Sequence, residues 1–152
     1  MINMFAQLVK QVPSAKLLLV GEGSLRNEIE QLTEQLNLKN RVLFYGSSNH
    51  VERLLQAIDV FVLPSHFEGL PIVGVEAQAS ALPIVFSDKI TSEAAITSNT
   101  SFLPIDSSDC YKIWADKILE YKNVRRESTL DQMKKAGFDI GSTVAAFMKL
   151  YQ

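Results

Sequence analysis

The chain of 152 residues has one cysteine, Cys110, so no disulfide can form within it, and the composition fits a reducing compartment. Its neighbours in Asp109-Cys110-Tyr111-Lys112 offer no histidine or second thiol, which makes Cys110 a structural thiol. Charge of one sign is not in excess: 15 Lys and Arg against 17 Asp and Glu leave a formal charge of -2, and no Lys/Arg run forms a basic field for nucleic acid. Long apolar runs are also missing, since the longest are strand-sized and fall short of the roughly 20 residues a membrane span needs. The first residues, Met1-Ile2-Asn3-Met4-Phe5-Ala6-Gln7, lack the basic stretch and apolar run of a signal peptide. Histidine is scarce: neither His50 nor His66 has a partner at metal-ligand spacing, and no Asp-x-Asp pair occurs, so no metal site is expected. These absences predict a soluble, cytoplasmic domain without a resident metal or cofactor.

What is present is an alternation. Apolar runs at 16–20 (KLLLV), 42–45 (VLFY), 60–63 (VFVL), 83–87 (PIVFS) and, more weakly, 101–103 are bounded by turn residues. Being apolar throughout, they suit parallel strands covered on both faces. Between them lie segments of helical period: Leu25, Ile29, Leu32 and Leu36 over 25–36, then Val51, Leu54, Leu55 and Ile58 over 51–58. Strand and helix in alternation predict an α/β, Rossmann-like, doubly wound parallel sheet with helices on both faces. A helical tail follows. It comprises a helix over 108–121 capped by Ser108 or Asp109, a second over 127–135 stopped by Gly137, and a last one capped by Ser142 and running to Tyr151. Residues 1–12 read as an amphipathic helix, so a helix comes first where a βαβ unit should open on a strand.

Two segments could carry chemistry. In Val20-Gly21-Glu22-Gly23-Ser24-Leu25-Arg26 a strand runs into a glycine turn and then a helix. Glycines admit close approach of a ligand to the backbone, and a helix N-terminus offers free N–H groups to an anion. A plain tight turn reads equally well. A dinucleotide fingerprint is disfavoured, which puts an NAD-linked oxidoreductase last among the readings, because Arg26 stands where its third glycine belongs, and Tyr45-Gly46-Ser47 ends the next strand without the ribose-binding acid. The second segment is Glu68-Gly69-Leu70-Pro71-Ile72-Val73-Gly74-Val75-Glu76-Ala77. Pro71 suits the first turn of a helix, which leaves Glu68, Gly69 and Leu70 in the loop at its positive end, a seat for a diphosphate. Glu76 among apolar neighbours would be costly to bury unless hydroxyl groups, such as those of a ribose, hydrogen-bond to it. The alternative is a solvated Glu68 and a Glu76 paired with a nearby Lys or Arg.

The spacing Glu68-x7-Glu76 resembles the Glu-x7-Glu motif of retaining GT-B glycosyltransferases of family four. The segments KLLLVGEGS, VLFYG, DVFVLPS and LPIVFS fall in that family's order, and Phe138-Asp139-Ile140 is similar to its closing segment. The likeness runs from about Ala15 to Tyr121 and is closest to transferases of bacterial capsular or exopolysaccharide biosynthesis. It implies one lobe, residues 1–152, that binds a nucleoside-diphosphate sugar without a metal. Glu76 would hold the ribose, Glu68 would face the donor sugar near the reacting centre, and the amides of Gly69 and Leu70 would hold phosphate. Tyr45, Gly46 and Ser47 would lie beside the nucleobase, with Gly21 and Gly23 forming the neighbouring turn. His66 adjoins this site.

The resemblance also implies parts this chain lacks. They are a central first strand, an Arg and Lys that neutralise the diphosphate, and an N-terminal lobe for the acceptor. Arg26 is the candidate substitute cation. A longer enzyme could associate peripherally with membrane, and the isolated chain is expected to be inactive. Where the family has glycine after its second Glu, this chain has Ala79-Ser80-Ala81-Leu82-Pro83. A non-catalytic nucleotide-binding or interaction module and a sugar-nucleotide epimerase-like lobe are the competing readings.

Overall fold

A computed structural model describes residues 1–150. Its elements run α1 (Ile2–Gln11), β1 (Leu17–Val20), α2 (Arg26–Gln35), β2 (Val42–Gly46), α3 (Val51–Gln56), β3 (Phe61–Leu63) and α4 (Ile72–Ala79). They continue with β4 (Ile84–Ser87), a short 3-10 turn (Ser92–Ala94), β5 (Thr100–Leu103), α5 (Cys110–Tyr121), α6 (Leu130–Lys135) and α7 (Ile140–Leu150). Every expected strand and helix is found. The last helix was expected to reach Tyr151, which lies outside the described residues.

All strand pairs are parallel, but they form two sheets, β1-β2 and β3-β4-β5. In β4 the period of two is plain. Ile84 and Phe86 join Leu55 of α3 and Ala77 of α4 in one cluster, while Val85 turns the other way to Trp114 and Cys110 of α5 and Met4 of α1. All four residues of β4 are buried. The outcome for β2 differs. Val42 and Phe44 pack on Phe5 and Leu8 of α1 and Ala115 of α5, whereas Leu43 and Tyr45 on the opposite face are 58% and 48% exposed. The unbroken apolar run of β2 therefore does not report burial on both faces.

Helices α1 and α5 tie the two sheets together. Ile2, Phe5 and Leu8 of α1 face the β1-β2 cluster, while Met4 faces β4. On α5, Ala115 belongs to the first cluster and Trp114 to the second, with the Trp114 Nε1–H donating to the Pro104 carbonyl at 2.8 Å. That bond satisfies the polar handle of a fully buried indole.

Three helix starts differ from expectation. At α5 neither Ser108 nor Asp109 caps through its side chain; Asp109 holds the N-cap position without such a bond. Helix α6 begins at Leu130 rather than 127, with Thr129 at its N-cap and the Thr129 hydroxyl donating to the Gln78 carbonyl instead of capping. For α7 the cap is Asp139, whose Oδ1 accepts the Ser142 N–H at 3.0 Å, so Ser142 lies inside the first turn. Gly137 ends α6 at φ +81, the left-handed conformation glycine adopts without strain.

Candidate functional site at the strand ends

In a parallel sheet, strands in register deliver their following loops to the same edge. Leu63, Phe86 and Phe102 are such partners across β3, β4 and β5. Beyond them come the Glu68 loop, the Asp88-Lys89 turn and Asp106. Ser87, fully buried at the end of β4, donates its hydroxyl to the Ser65 carbonyl, and its own Oγ accepts the Lys89 N–H at 3.3 Å. Ser65 in turn donates to Glu68 Oε1 at 3.0 Å. A parallel bridge between Glu68 and Ile90 fixes the backbone at the same point. Glu68 is thus half-buried and held by two links, the Ser65 hydroxyl within its own loop and the Ile90 bridge to the β4 side, rather than being a freely solvated loop residue.

Gly69 and Leu70 are exposed just ahead of α4. Pro71 occupies the N-cap rather than the first turn: its ψ of 106 keeps it extended, while its carbonyl accepts the N–H groups of Gly74 at 2.9 Å and Val75 at 3.2 Å. Helix α4 buries Gly74, Ala77 and Gln78 and turns Glu76 outward. Glu76 therefore carries no burial cost, because α4 turns Gly74, Ala77 and Gln78 to the core and the carboxylate to the open side. Glu76 lines an open pocket of about 440 Å³ with Ser48, Asn49, Glu52, Leu55 and Ser80. Among the described residues neither Glu68 nor Glu76 makes an ion pair.

The glycine turn meets the end of β2. Gly21, at φ +123, donates its N–H to the Gly46 carbonyl at 2.8 Å, and Gly46 itself sits at φ +80. The left-handed φ is what calls for glycine at Gly46, since a Cβ there would meet only the movable carboxylate of Glu22 at 2.9 Å. Gly23 has open space around it and no such need. Tyr45 and Ser47 are exposed beside this turn.

Arg26 is not an available cation. Its Nη1 lies 3.0 Å from Glu22 Oε1, its Nε 2.9 Å from Glu30 Oε1, and its guanidinium stacks 5.5 Å from the Phe44 ring centre. Hydrogen bonds to Glu30, then Glu22, hold it still more firmly protonated than usual. The pairing locks the Gly21–Gly23 turn to α2 instead of offering charge to a ligand.

Sequence reasoning missed a charged group at the sheet edge. Lys89 Nζ lies 2.7 Å from Asp106 Oδ2, and His66 Nδ1 lies 3.9 Å from Asp106 Oδ1. The hydrogen bond to Asp106 raises the Lys89 pKa, and that from Lys89 lowers the Asp106 pKa. The signal was positional: each residue follows the end of one of three strands in register. Phe67, between His66 and Glu68, is 88% exposed. No group of three His, Cys, Asp or Glu residues able to hold a metal occurs among the described residues. No helix there is long and apolar enough to cross a membrane. A larger open groove of about 600 Å³, between α1, residues 36–38 and Tyr111, contains none of the candidate residues.

Parallel strands flanked by helices, with the candidate loops at the strand ends, define an α/β fold of the kind that forms one lobe of GT-B glycosyltransferases. The pneumococcal O-GlcNAc transferase GtfA, solved in complex with UDP and GlcNAc, superposes with a TM-score of 0.80 at 18% identity, covering 98% of this chain and 31% of that one. The chain belongs to the family of glycosyl transferases group 1, whose model matches residues 1–137. EpsF of Bacillus subtilis (strain 168) is 35% identical over 154 residues, covering 99% of this chain and 40% of EpsF. The UDP-Gal:alpha-D-GlcNAc-diphosphoundecaprenol alpha-1,3-galactosyltransferase of Escherichia coli is 40% identical over 78 residues, covering 51% of this chain and 20% of that protein. The chain thus spans less than half the length of these relatives.

Proposed function

We propose that this chain is the donor-binding lobe of a retaining, family-four glycosyltransferase that moves a hexosyl unit from a nucleoside diphosphate to a growing glycan in polysaccharide biosynthesis. The observation that carries this reading is the placement of the Glu-x7-Glu pair. Glu68 is pinned in the loop at the end of β3, and Glu76 faces an open pocket with Ser48 and Asn49. In that reading Glu76 accepts hydrogen bonds from ribose hydroxyls, while Tyr45, Gly46 and Ser47 flank the base beside Gly21 and Gly23. The amides of Gly69 and Leu70, at the positive end of α4, meet the diphosphate, and Glu68 faces the sugar. The bond from the sugar C1 to the diphosphate breaks, a bond from C1 to an acceptor hydroxyl oxygen forms, and the hydroxyl proton leaves with the diphosphate. No metal takes part.

Negative charge grows on the diphosphate during this step, and fixed donors aimed at it supply the stabilisation. The α4 terminus offers such donors, but Arg26 is held by Glu22 and Glu30. That engagement favours, as a second reading, a module that binds nucleotide without turning it over. On either reading the isolated chain transfers no sugar; on the first, an acceptor-binding lobe completes the enzyme on the cytoplasmic side.

The UDP-galactose named for the Escherichia coli relative makes UDP the first probe, with GDP beside it. Calorimetric titration of the chain and of Glu76→Ala is the test. Binding that is lost in the variant supports the ribose-gripping carboxylate. Equal binding by both proteins, or none by the folded wild type, rejects the donor-site assignment.

A further inference from the structure

Two residues beyond Glu76 lies a polar side chain that no surface role explains. Gln78 is 0% exposed. Its amide nitrogen donates to the carbonyls of Gly74 at 3.1 Å and Ala94 at 2.8 Å. Its oxygen accepts from Ile96 N at 2.8 Å, Thr97 N at 2.9 Å, Thr97 Oγ1 at 3.3 Å and Thr100 Oγ1 at 3.1 Å. The Gln78 main-chain carbonyl takes the Thr129 hydroxyl at 2.8 Å. With donors on one side and acceptors on the other, the carboxamide has a single satisfied orientation.

The location of these bonds matters more than their number. Helix α4 presents only Gly74, Ala77 and Gln78 to the core. Gly74 and Ala77 let α4 sit close on β4, with the Phe86 ring against Gly74. Neither reaches residues 94–100, and directional hydrogen bonds from Gln78 make that connection. They fasten the last turn of α4 to residues 94–100, a stretch that begins a few residues after Ile90, the bridge partner of Glu68. One segment, 90–97, is therefore joined at one end to the Glu68 loop and at the other to the helix that carries Glu76.

We propose that Gln78 is a positioning residue of the nucleotide site: through residues 90–97 it sets the placement of Glu76 on α4 relative to the Glu68 loop. The proposal rests on the reading of Glu76 as the ribose-binding carboxylate. A methionine at this position would fill similar space and make none of the bonds. A glutamate would keep the acceptor half and lose both donations when ionised, or one of the two when protonated.

The test compares the affinity of the full chain for UDP and for 2′,3′-dideoxy-UDP, because only a correctly placed Glu76 can tell the two apart. The wild type is expected to prefer UDP by about ten-fold or more, the worth of a hydrogen bond to a charged group. In folded Gln78→Met the preference is expected to fall to near unity, as in Glu76→Ala, with Gln78→Glu in between. A preference that survives in Gln78→Met, with both ligands weakened alike, overturns positioning and leaves Glu76 as the ribose ligand. If Gln78→Met does not fold, Gln78→Glu decides: an undiminished preference overturns the proposal. A second, ligand-free measurement separates this proposal from the donor-site reading. Hydrogen exchange across residues 66–71 is expected to quicken in the Gln78 variant along with that of 94–97. Exchange that quickens at 94–97 alone shows that the segment does not reach the Glu68 loop, and the proposal fails even where UDP binds.

Discussion

Replacing Gly74 with alanine sets two effects of known size against each other. On helix propensity alone, alanine inside a helix is favoured over glycine by up to about 1 kcal/mol. Sterics oppose it. A Cβ at Gly74 would stand 2.6 Å from Phe86 Cζ and 2.9 Å from its Cε1. The ring would have to retreat by the better part of an ångström, and it has nowhere to go. Phe86 is 0% exposed, and the Phe102 ring lies 5.6 Å away, centre to centre. Forcing a methyl into a core without slack costs about 1–3 kcal/mol. Overpacking therefore outweighs propensity, and Gly74→Ala is expected to destabilise by about 1 kcal/mol, a mid-range overpacking cost of about 2 less a propensity gain of about 1. Urea unfolding measures this as a lower midpoint at unchanged slope. The sharper assay is the cycle with Phe86→Leu, which opens space where the methyl would sit. The double variant should then be more stable than the sum of the single effects predicts, with a coupling of about 1 kcal/mol. A Gly74→Ala protein as stable as wild type, or strict additivity with Phe86→Leu, would refute the close contact. It would also remove the tight seat that α4 takes on β4.

Ala81 adopts φ +57, the left-handed region, in the turn where the resemblance calls for glycine. Ala81→Gly relieves a strain of about 1–2 kcal/mol and loses part of that gain to unfolded-state entropy. It should raise stability by up to about 1 kcal/mol in urea unfolding, and a loss of stability would contradict the assigned backbone. Asp139 is held below its usual carboxylate pKa by its side-chain hydrogen bond with Ser142, and the folded pKa is thus below the unfolded one. The cap is therefore intact above the unfolded pKa and is lost as pH falls through the lowered folded value. Amide exchange at residues 141–143, corrected for its intrinsic pH dependence, should show α7 fraying over that acid window in the wild type and at all pH values in Asp139→Ala. The same exchange profile in both proteins would show that the cap contributes nothing.

The order of strands and helices was legible in the amino-acid sequence because it depends on neighbours a few residues apart. The period of Leu25, Ile29 and Leu32 marks α2, and the apolar run of β4 marks a strand wherever it lies. Gly137 announced its left-handed turn because only glycine takes that conformation without strain. The loop bearing Glu68, Gly69 and Leu70 could likewise be placed ahead of a helix by Pro71. What the sequence left open were properties that depend on partners distant along the chain. The apolar face of β2 carrying Leu43 and Tyr45 stays open because no helix of the described chain lies on it, which no run of apolar letters reveals. Whether Glu76 faces core or solvent stays open until the orientation of α4 is known. Arg26 is the exception, since Glu22 and Glu30 stand only four residues away on either side and the pairing could have been read locally. Lys89, Asp106 and His66 stand in three separate loops, and only the register of β3, β4 and β5 brings them together. Periodicity is a local property and could be read; register, helix orientation and the ion pairing of Lys89 with Asp106 follow from contacts between distant segments, so only the tertiary structure decided them.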